Sequence, residues 1–444
     1  MQQSQRAAGN HALEYAVQRA NALGLPLRVG FGLTDNYPEA AERHYRFMLE
    51  GLRQTARDLA ARGIPLITRL GLPDEVAVGL AARAAELICD RGYLRHQKRW
   101  RQNVAATVAC PVTQVETDVV VPVSVASRKA EWSARTLRPR INDRLDEFLV
   151  ALRPTPLARP GGAAAARGLD LEGIDRLLGR LCLDRGVPPV SHLFRGGADQ
   201  ARARLRSFVI GPLRRYGLAR QRPEEGVVSH LAMYLHFGQI SPIDVALAAR
   251  GAARVGRANV AAFLEELIVR RELSANFVEN TDAYDSFRAV PAWARATLAA
   301  HVSDPRRPCY TRADLERAAT ADPYWNAAMR EMRYTGYLHN QMRMYWGKKV
   351  LEWTSEPEIA HALVLALNNR YLLDGRDPAS YANVGWIFGL HDRPWPQRAI
   401  YGTVRSMAAA GLRRKSDIDA YVRGVDAAVA EARRHGVRYD DDDG

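Results

Sequence analysis

LPLRVGFGL, Leu25–Leu33, is the stretch on which the fold turns. It reads as a buried strand. Its Gly30-x-Gly32 pair is too short for a dinucleotide-binding glycine signature and lies inside a strand rather than opening a helix. Working outward, Glu39–Arg62 carries helical spacing, with Tyr45, Met48, Leu49 and Leu52 on one stripe. Pro65–Leu70 reads as a strand, Val76–Ala84 as a helix and Ala85–Asp90 as a strand. Tyr93–Ala105 is helical again, and Pro111–Glu116 is a strand. Strands alternating with helices predict a doubly wound parallel α/β sheet. Upstream, His11–Leu23 is helix-like with no strand before it. A sheet of this type opens on a strand, so the first strand is expected to be missing.

Downstream, Arg153–Gly168 (RPTPLARPGGAAAARG) is rich in Pro, Gly and Ala. It predicts an interdomain linker over 151–170 between an α/β domain, 1–150, and a second domain, 171–435. From about Asp170 strand signals vanish. Amphipathic stretches such as Val260–Val278 and Tyr324–Trp353 predict an all-helical domain. The acidic end, 436–444, is expected to be solvated and to carry no structural message.

A chain of 444 residues is too long for one compact core, and its 47% hydrophobic content suffices for two. No run of 18 apolar residues is present, so no membrane span is expected. Met1–Asn10 is polar and lacks a signal core. Cys89, Cys110, Cys182 and Cys309 lie far apart, which argues against a zinc site and a disulfide framework and fits a reducing cytosol. A cytoplasmic monomer without metal is the expectation. The net charge of +14 attracts polyanions, nucleic acid first among them. A genome-wide preference for arginine explains part of it, but not its local concentration. Gln200–Arg222 holds seven arginines and no carboxylate, and Arg405, Arg413, Arg414 and Lys415 form a second cluster.

Four segments carry candidate chemistry. In SHLAMYLHFGQIS, Ser229–Ser241, Ser229 can cap a helix and leave N–H groups free for phosphate, although a capping serine alone is weak support. In FLEELIVRRELSANF, Phe263–Phe277, Glu265, Glu266, Arg270, Arg271 and Glu272 stand inside an apolar helix. Glu266 and Arg270 are spaced for a surface ion pair, yet charges on every side put at least one in an interior or cleft. In Tyr324–Trp353, Asn340, Arg343 and Trp346 share a face, and so do Trp346 and Trp353. An aromatic stripe is usually core, but a plain core does not accept Asn340 and Arg343. In NNRYLLDGRD, Asn368–Asp377, a carboxylate can accept from a ligand N–H or pair with Arg343.

Together these segments resemble the class II cyclobutane pyrimidine dimer photolyases of the photolyase/cryptochrome superfamily. The resemblance runs from Gln2–Arg6 (QQSQR) to Arg414–Asp417 (RKSD). EELIVRREL (Glu265–Leu273), MRMYWGKKVLEW (Met342–Trp353) and LDGRDP (Leu373–Pro378) are its most specific pieces. It implies an N-terminal α/β domain and a helical domain holding FAD. An excited, reduced flavin would pass an electron to a pyrimidine dimer, the cyclobutane ring would split and the electron would return. Double-stranded DNA containing such dimers is the implied partner, with the dimer extruded into a pocket. Ser229, His230 and Leu231 would hold the FAD diphosphate, with Tyr216 and Asn340 on the cofactor. Arg343 and Asp374 would pair beside the isoalloxazine, Asp377 would lie close by, and Asn368 would face flavin N5. Glu266 would hydrogen-bond the dimer carbonyl. Arg220, Gln221, Met344 and Trp386 would line the lesion pocket. Arg393, Trp395, Arg413, Arg414 and Lys415 would meet DNA. Trp346, Trp325 and Trp353 would relay electrons from solvent. An antenna chromophore of deazaflavin type is a further possibility that the resemblance leaves open.

The departures are specific. His230, Ala232 and Met233 stand where the family has Asn, Ser and Pro, which removes one hydroxyl contact. Gln221 replaces an asparagine, and the chain between Trp386 and His391 is one residue short. Three other readings stay open at this level: a cryptochrome-type photoreceptor with the same cofactor and no repair, a nicotinamide oxidoreductase, and an inactive DNA-binding remnant.

Overall fold

The structure, a computed structural model, describes residues 1–161, 168–252 and 255–442. Part of the expected linker, residues 162–167, therefore lies outside the described residues. Four short strands form in the first 115 residues. β1 (Val29–Leu33) pairs in parallel with β2 (Leu66–Leu70), Val29 opposite Leu66. β3 (Leu87–Asp90) pairs in parallel with β4 (Val112–Val115), Leu87 opposite Val112. β1 begins at Val29 rather than Leu25. Pro26 has no N–H for a ladder, and the Leu25 N–H returns to Ala20 O at the end of α1 (His11–Leu23).

One continuous sheet was the expectation; the structure holds two separate pairs. The reason is what lies between β1 and β3. There Gln2 uses its side chain, donating to Gly32 O at 3.0 Å and accepting from Gly32 N–H at 3.2 Å. The N–H groups of Gln3 and Ser4 each donate to the Asp90 carboxylate at 2.7 Å. A segment bonded through side chains and one carboxylate does not form a ladder. A cavity of about 560 Å³ remains between the pairs.

Helices α2 (Glu42–Ala61), α3 (Pro73–Ala81) and α4 (Arg95–Thr107) connect the strands. Beyond them the chain crosses early into the helical core. Val120, Val121, Leu137 and Leu149 belong to the same buried cluster as Trp325, Trp346 and Leu367. The cores therefore do not divide at residue 150. Arg6 ties the N-terminal segment to both parts, donating to Asp118 Oδ1 at 2.9 Å, Thr117 O at 2.6 Å and Gly238 O at 3.0 Å.

From residue 171 the described residues form helices and short turns. Tyr324–Trp353 is two helices, Pro323–Thr335 and Asn340–Trp353, divided where Gly336 takes a left-handed φ of 69°. Asp440 and Asp441 of the acidic end are exposed, but the segment is tied to the fold rather than free of it. Tyr439 is buried and donates to Arg333 O at 2.6 Å, and Asp441 and Asp442 pair with Arg333 and Arg433. Each carboxylate offsets the charge of the arginine it pairs with.

Candidate functional site

A cavity of about 760 Å³ opens in the helical part, within the range of sites for cofactor-sized molecules. On its floor Arg343, from the Asn340–Trp353 helix, donates through Nη2 to both oxygens of Asp374 at 3.1 Å. Asp374 sits in the turn that Gly375 makes against Asn369, where a side chain would strike backbone within 3 Å. Asp377 accepts from the Ala379 N–H at 2.9 Å, capping the helix Pro378–Ile387, and lies 3.3 Å from His236. Both carboxylates line the cavity, as does Asn340.

Ser229, His230 and Leu231 line the same cavity. Ser229 is not a helix cap. Its Oγ accepts from the Leu231 N–H at 3.4 Å, and the next helix, Ala232–His236, starts without a side-chain cap. The cause is His230, whose left-handed φ of 51° turns the chain between serine and helix. Its ring lies edge-on to Tyr337 at 4.6 Å. Burial, with Arg204 and His339 nearby, pushes its pKa down to about 4; burial does the same for His339. Tyr216 completes this side, edge-on to Phe208 and Phe263.

Glu266 stands on the cavity wall in Glu265–Arg270, a π-helical segment between the helices Arg257–Leu264 and Arg271–Glu279. The Glu266–Arg270 surface pair that the spacing allows is not among the ion pairs of the described residues. Arg270 Nε meets Glu265 at 3.3 Å, and Glu265 also takes the guanidinium of Arg138 at 2.7 Å. Residues five apart share a face in the wider π turn, so the partner moves from i,i+4 to i,i+5. Glu266 is left to the cavity, with Arg220 Nε at 3.7 Å, and burial raises its pKa. Gln221, Met344 and Trp386 line the same wall, and Arg270 lies 5.6 Å from the Trp386 ring. Arg414 and Lys415 also line the cavity.

Other expected residues lie elsewhere. Asn368 is buried and donates to the Asn369 side chain at 3.1 Å; it is not on the cavity wall, because its amide is taken up inside the turn. Arg413 is exposed and is absent from the cavity lining; its Nε donates to Tyr324 OH at 2.8 Å. Arg393 and Trp395 stack on the loop outside the cavity, with Arg405 on the same ring at 4.9 Å. The tryptophans form a run behind the wall. Trp346 and Trp325 stack at 6.3 Å and 14°, and Trp325 meets Trp353 at 5.4 Å.

Sequence reading missed Tyr337, His339 and Lys348, all on the cavity; Arg271, singled out among the charges of Phe263–Phe277 but given no role, lines it too. Lys348 stands in the quoted MRMYWGKKVLEW. It is buried, donates to Ile387 O, and has its pKa pushed down by burial to about 7. The adjacent Lys349 pairs with Glu352 in the ordinary way, and spacing alone does not say which of the two is inside.

The cavity suits a large polar cofactor. Among the described residues His230 Nδ1, His339 Nε2 and Arg343 Nε are buried without a partner. Orphaned donors and acceptors beside a cation–carboxylate pair call for a ligand with phosphates and ring heteroatoms.

An α/β part, a helical part with such a cavity and an indole run beside it define the photolyase/cryptochrome class of fold. A class III photolyase from Agrobacterium tumefaciens matches with a TM-score of 0.75 at 19% identity, over 95% of this chain and 84% of that one. An archaeal photolyase from Sulfolobus tokodaii, described with two FAD molecules, matches at 0.67 and 16% identity, over 96% and 90%. The DNA photolyase family model matches residues 1–160. The deoxyribodipyrimidine photo-lyase of Methanothermobacter thermautotrophicus is 46% identical over 95% of this chain and 92% of its own length. That of Oryza sativa subsp. japonica is 38% identical over 98% and 88%. The chain belongs to the DNA photolyase family.

Proposed function

We propose that this chain is a class II photolyase that splits cyclobutane pyrimidine dimers in DNA under light. One observation carries the reading: the Arg343–Asp374 floor and the Glu266–Arg220–Trp386 wall share one cavity. The floor would hold FAD, and the wall would hold an extruded dimer. When bound, reduced FAD supplies the light-driven electron that the dimer accepts and gives back.

The residues do the rest. Arg343, held by Asp374, presents its unpartnered Nε to the cofactor's polar ring edge. His230, His339 and Asn340 offer polar atoms to its phosphates and sugar. Tyr216 and Leu231 cover its apolar surface. On the wall, Trp386 and Met344 give an extruded base pair of rings an apolar bed, and Arg220 and Gln221 close the mouth. Glu266, whose pKa burial raises, would meet the dimer carbonyl as negative charge develops there. Arg414 and Lys415 attract the flanking phosphates without reading sequence.

Two measurements test the reading. Purified protein incubated with FAD and dialysed should keep a flavin spectrum. The flavin-loaded, pre-reduced protein should convert dimer-containing oligonucleotide to monomers under blue light and not in the dark. Flavin retained without any conversion would leave a photoreceptor and overturn the repair reading.

A further inference from the structure

The stretch SRKAEWSARTLRPRINDR, Ser127–Arg144, holds six cations (Arg128, Lys129, Arg135, Arg138, Arg140 and Arg144) against two carboxylates (Glu131 and Asp143). It precedes the expected linker, yet it is anchored to the rim of the cavity. Arg138 forks onto Glu265 at 2.7 and 2.9 Å, one residue from Glu266. The Trp132 carbonyl faces His391 Nδ1 at 2.8 Å, and the next residue, Asp392, lines the cavity. Buried Asn276 clamps the backbone, donating to Lys129 O at 2.9 Å and accepting from the Glu131 N–H at 2.8 Å. Three tethers hold the segment rigid against the elements that build the lesion wall.

What it presents outward is unusual. The Trp132 side chain is exposed, with 56% of the residue's surface accessible, though a solitary surface tryptophan forgoes a large gain from burial. Arg128, Lys129 and Arg135 are exposed beside it in sequence, and none of the three has an ion-pair partner among the described residues. Next to them Arg128, Lys129, Arg140 and Arg144 edge an open hollow of about 610 Å³ with Ser124 and Ser127. Arg140 is spoken for by Glu131 at 3.2 Å and Arg144 by Glu147, so the free charge sits at the Trp132 end.

We propose that Arg128–Arg135, with Trp132 at its centre, is a second DNA-binding wall, in addition to Arg414 and Lys415 on the cavity. Its ligand is the duplex flanking the lesion. The exposed cations meet backbone phosphates, and the indole packs on a sugar or on a base beside the gap left by the extruded dimer. A duplex with an extruded dimer fits the chemistry because its phosphates match the cations, and the gap lays bare a ring face on which the indole can stack. The proposal rests on DNA being the substrate.

The test uses the full chain with flavin bound, in the dark, with labelled duplexes that do or do not contain one dimer. Trp132→Ala should weaken binding about fivefold and leave the salt slope unchanged. The triple variant Arg128→Ala/Lys129→Ala/Arg135→Ala should weaken binding about tenfold, alike for both duplexes, and lower the slope of log K against log salt by roughly two to three units. Flavin content and dimer splitting at saturating duplex should match the parent, which shows that both variants fold. Parental affinity and slope in both variants, with dimers still split, would overturn the wall and leave the repair reading intact. If the variants lose affinity as stated but even the parent splits no dimer, the wall stands and the repair reading falls.

Discussion

Glu266 faces Arg220 Nε at 3.7 Å, while its neighbour Glu265 takes both Arg138 and Arg270. The two adjacent glutamates are thereby separated in role. Glu265 is fully paired and its pKa is lowered, first by the Arg138 hydrogen bond; Glu266 is raised by burial. A carboxyl displaced toward the protonated form at a cavity wall can donate, and donation to a developing oxyanion is worth a few kcal/mol when wholly lost. Gln keeps a donor in place, while Ala removes it. The quantum yield of repair should fall in the order wild type, Glu266→Gln, Glu266→Ala, with the Ala variant lower by about tenfold or more. Flavin content and duplex affinity should stay close to the parent. Equal yields in all three proteins would make Glu266 a bystander. The motif EELIVRREL marked this residue as a cavity candidate, but its partner was not legible. Spacing arguments assume an α-helical turn, and nothing in the residue types announces the π segment that moves the pairing by one position.

At the scale of elements the indoles give the clearest case. Trp346 and Trp353 lie seven residues apart on one helix, so their shared face was readable. The spacing does not say that Trp325, from the helix Pro323–Thr335, bridges them, stacked on one and edge-on to the other. The bridge is fixed by the Trp325 Nε1–H, which donates to Trp346 O at 2.9 Å, a contact between helices that no local pattern contains. The rings follow one another from Trp346 through Trp325 to Trp353 and the half-buried Tyr310 ring, 4.9 Å beyond, and we propose that electrons would pass along them by short hops. Trp346→Phe and Trp325→Phe should each slow light-driven reduction of the oxidised cofactor by at least about tenfold, since phenylalanine is far harder to oxidise than indole. Dimer splitting by chemically pre-reduced protein should survive in both. Transient absorption that shows normal reduction in either variant would remove that residue from the relay. The strands were legible in kind and order for a similar reason, since each is a local apolar run. Their separation into two pairs was not, because it depends on what Gln2–Ser4 bond to.

Across the whole molecule, the α/β part and the helices are joined through buried polar contacts as well as apolar packing. Glu272, 2% exposed on the helix Arg271–Glu279, accepts from the Val120 N–H at 2.5 Å and the Val121 N–H at 3.3 Å, where the chain passes from sheet to helical core. Arg271 beside it donates to Asp118 O at 2.5 Å, and Asp118 in turn holds Arg6. Burial pushes the Glu272 carboxyl up to about 8, more than these backbone donors and Arg271 pull it down. In the unfolded chain the same group titrates in the ordinary glutamate range, near 4.5. Between those two values the folded protein holds a proton that the unfolded chain has released. Its contribution is therefore complete below the unfolded pKa, declines as pH rises, and is lost by about pH 8. Glu272→Gln keeps a carbonyl oxygen for the Val120 N–H and cannot ionise, so it removes this dependence. Its amide N–H₂ brings a fixed cost of its own, so the informative quantity is the difference between two pH values. From pH 5 to pH 8.5 the parent should lose stability relative to Glu272→Gln by on the order of a few kcal/mol, measured by urea unfolding at each pH. Stability curves for the two proteins that stay parallel over that interval would show that Glu272 is already ionised in the fold, and that the joint between sheet and helices is held by a charge rather than by a neutral acid.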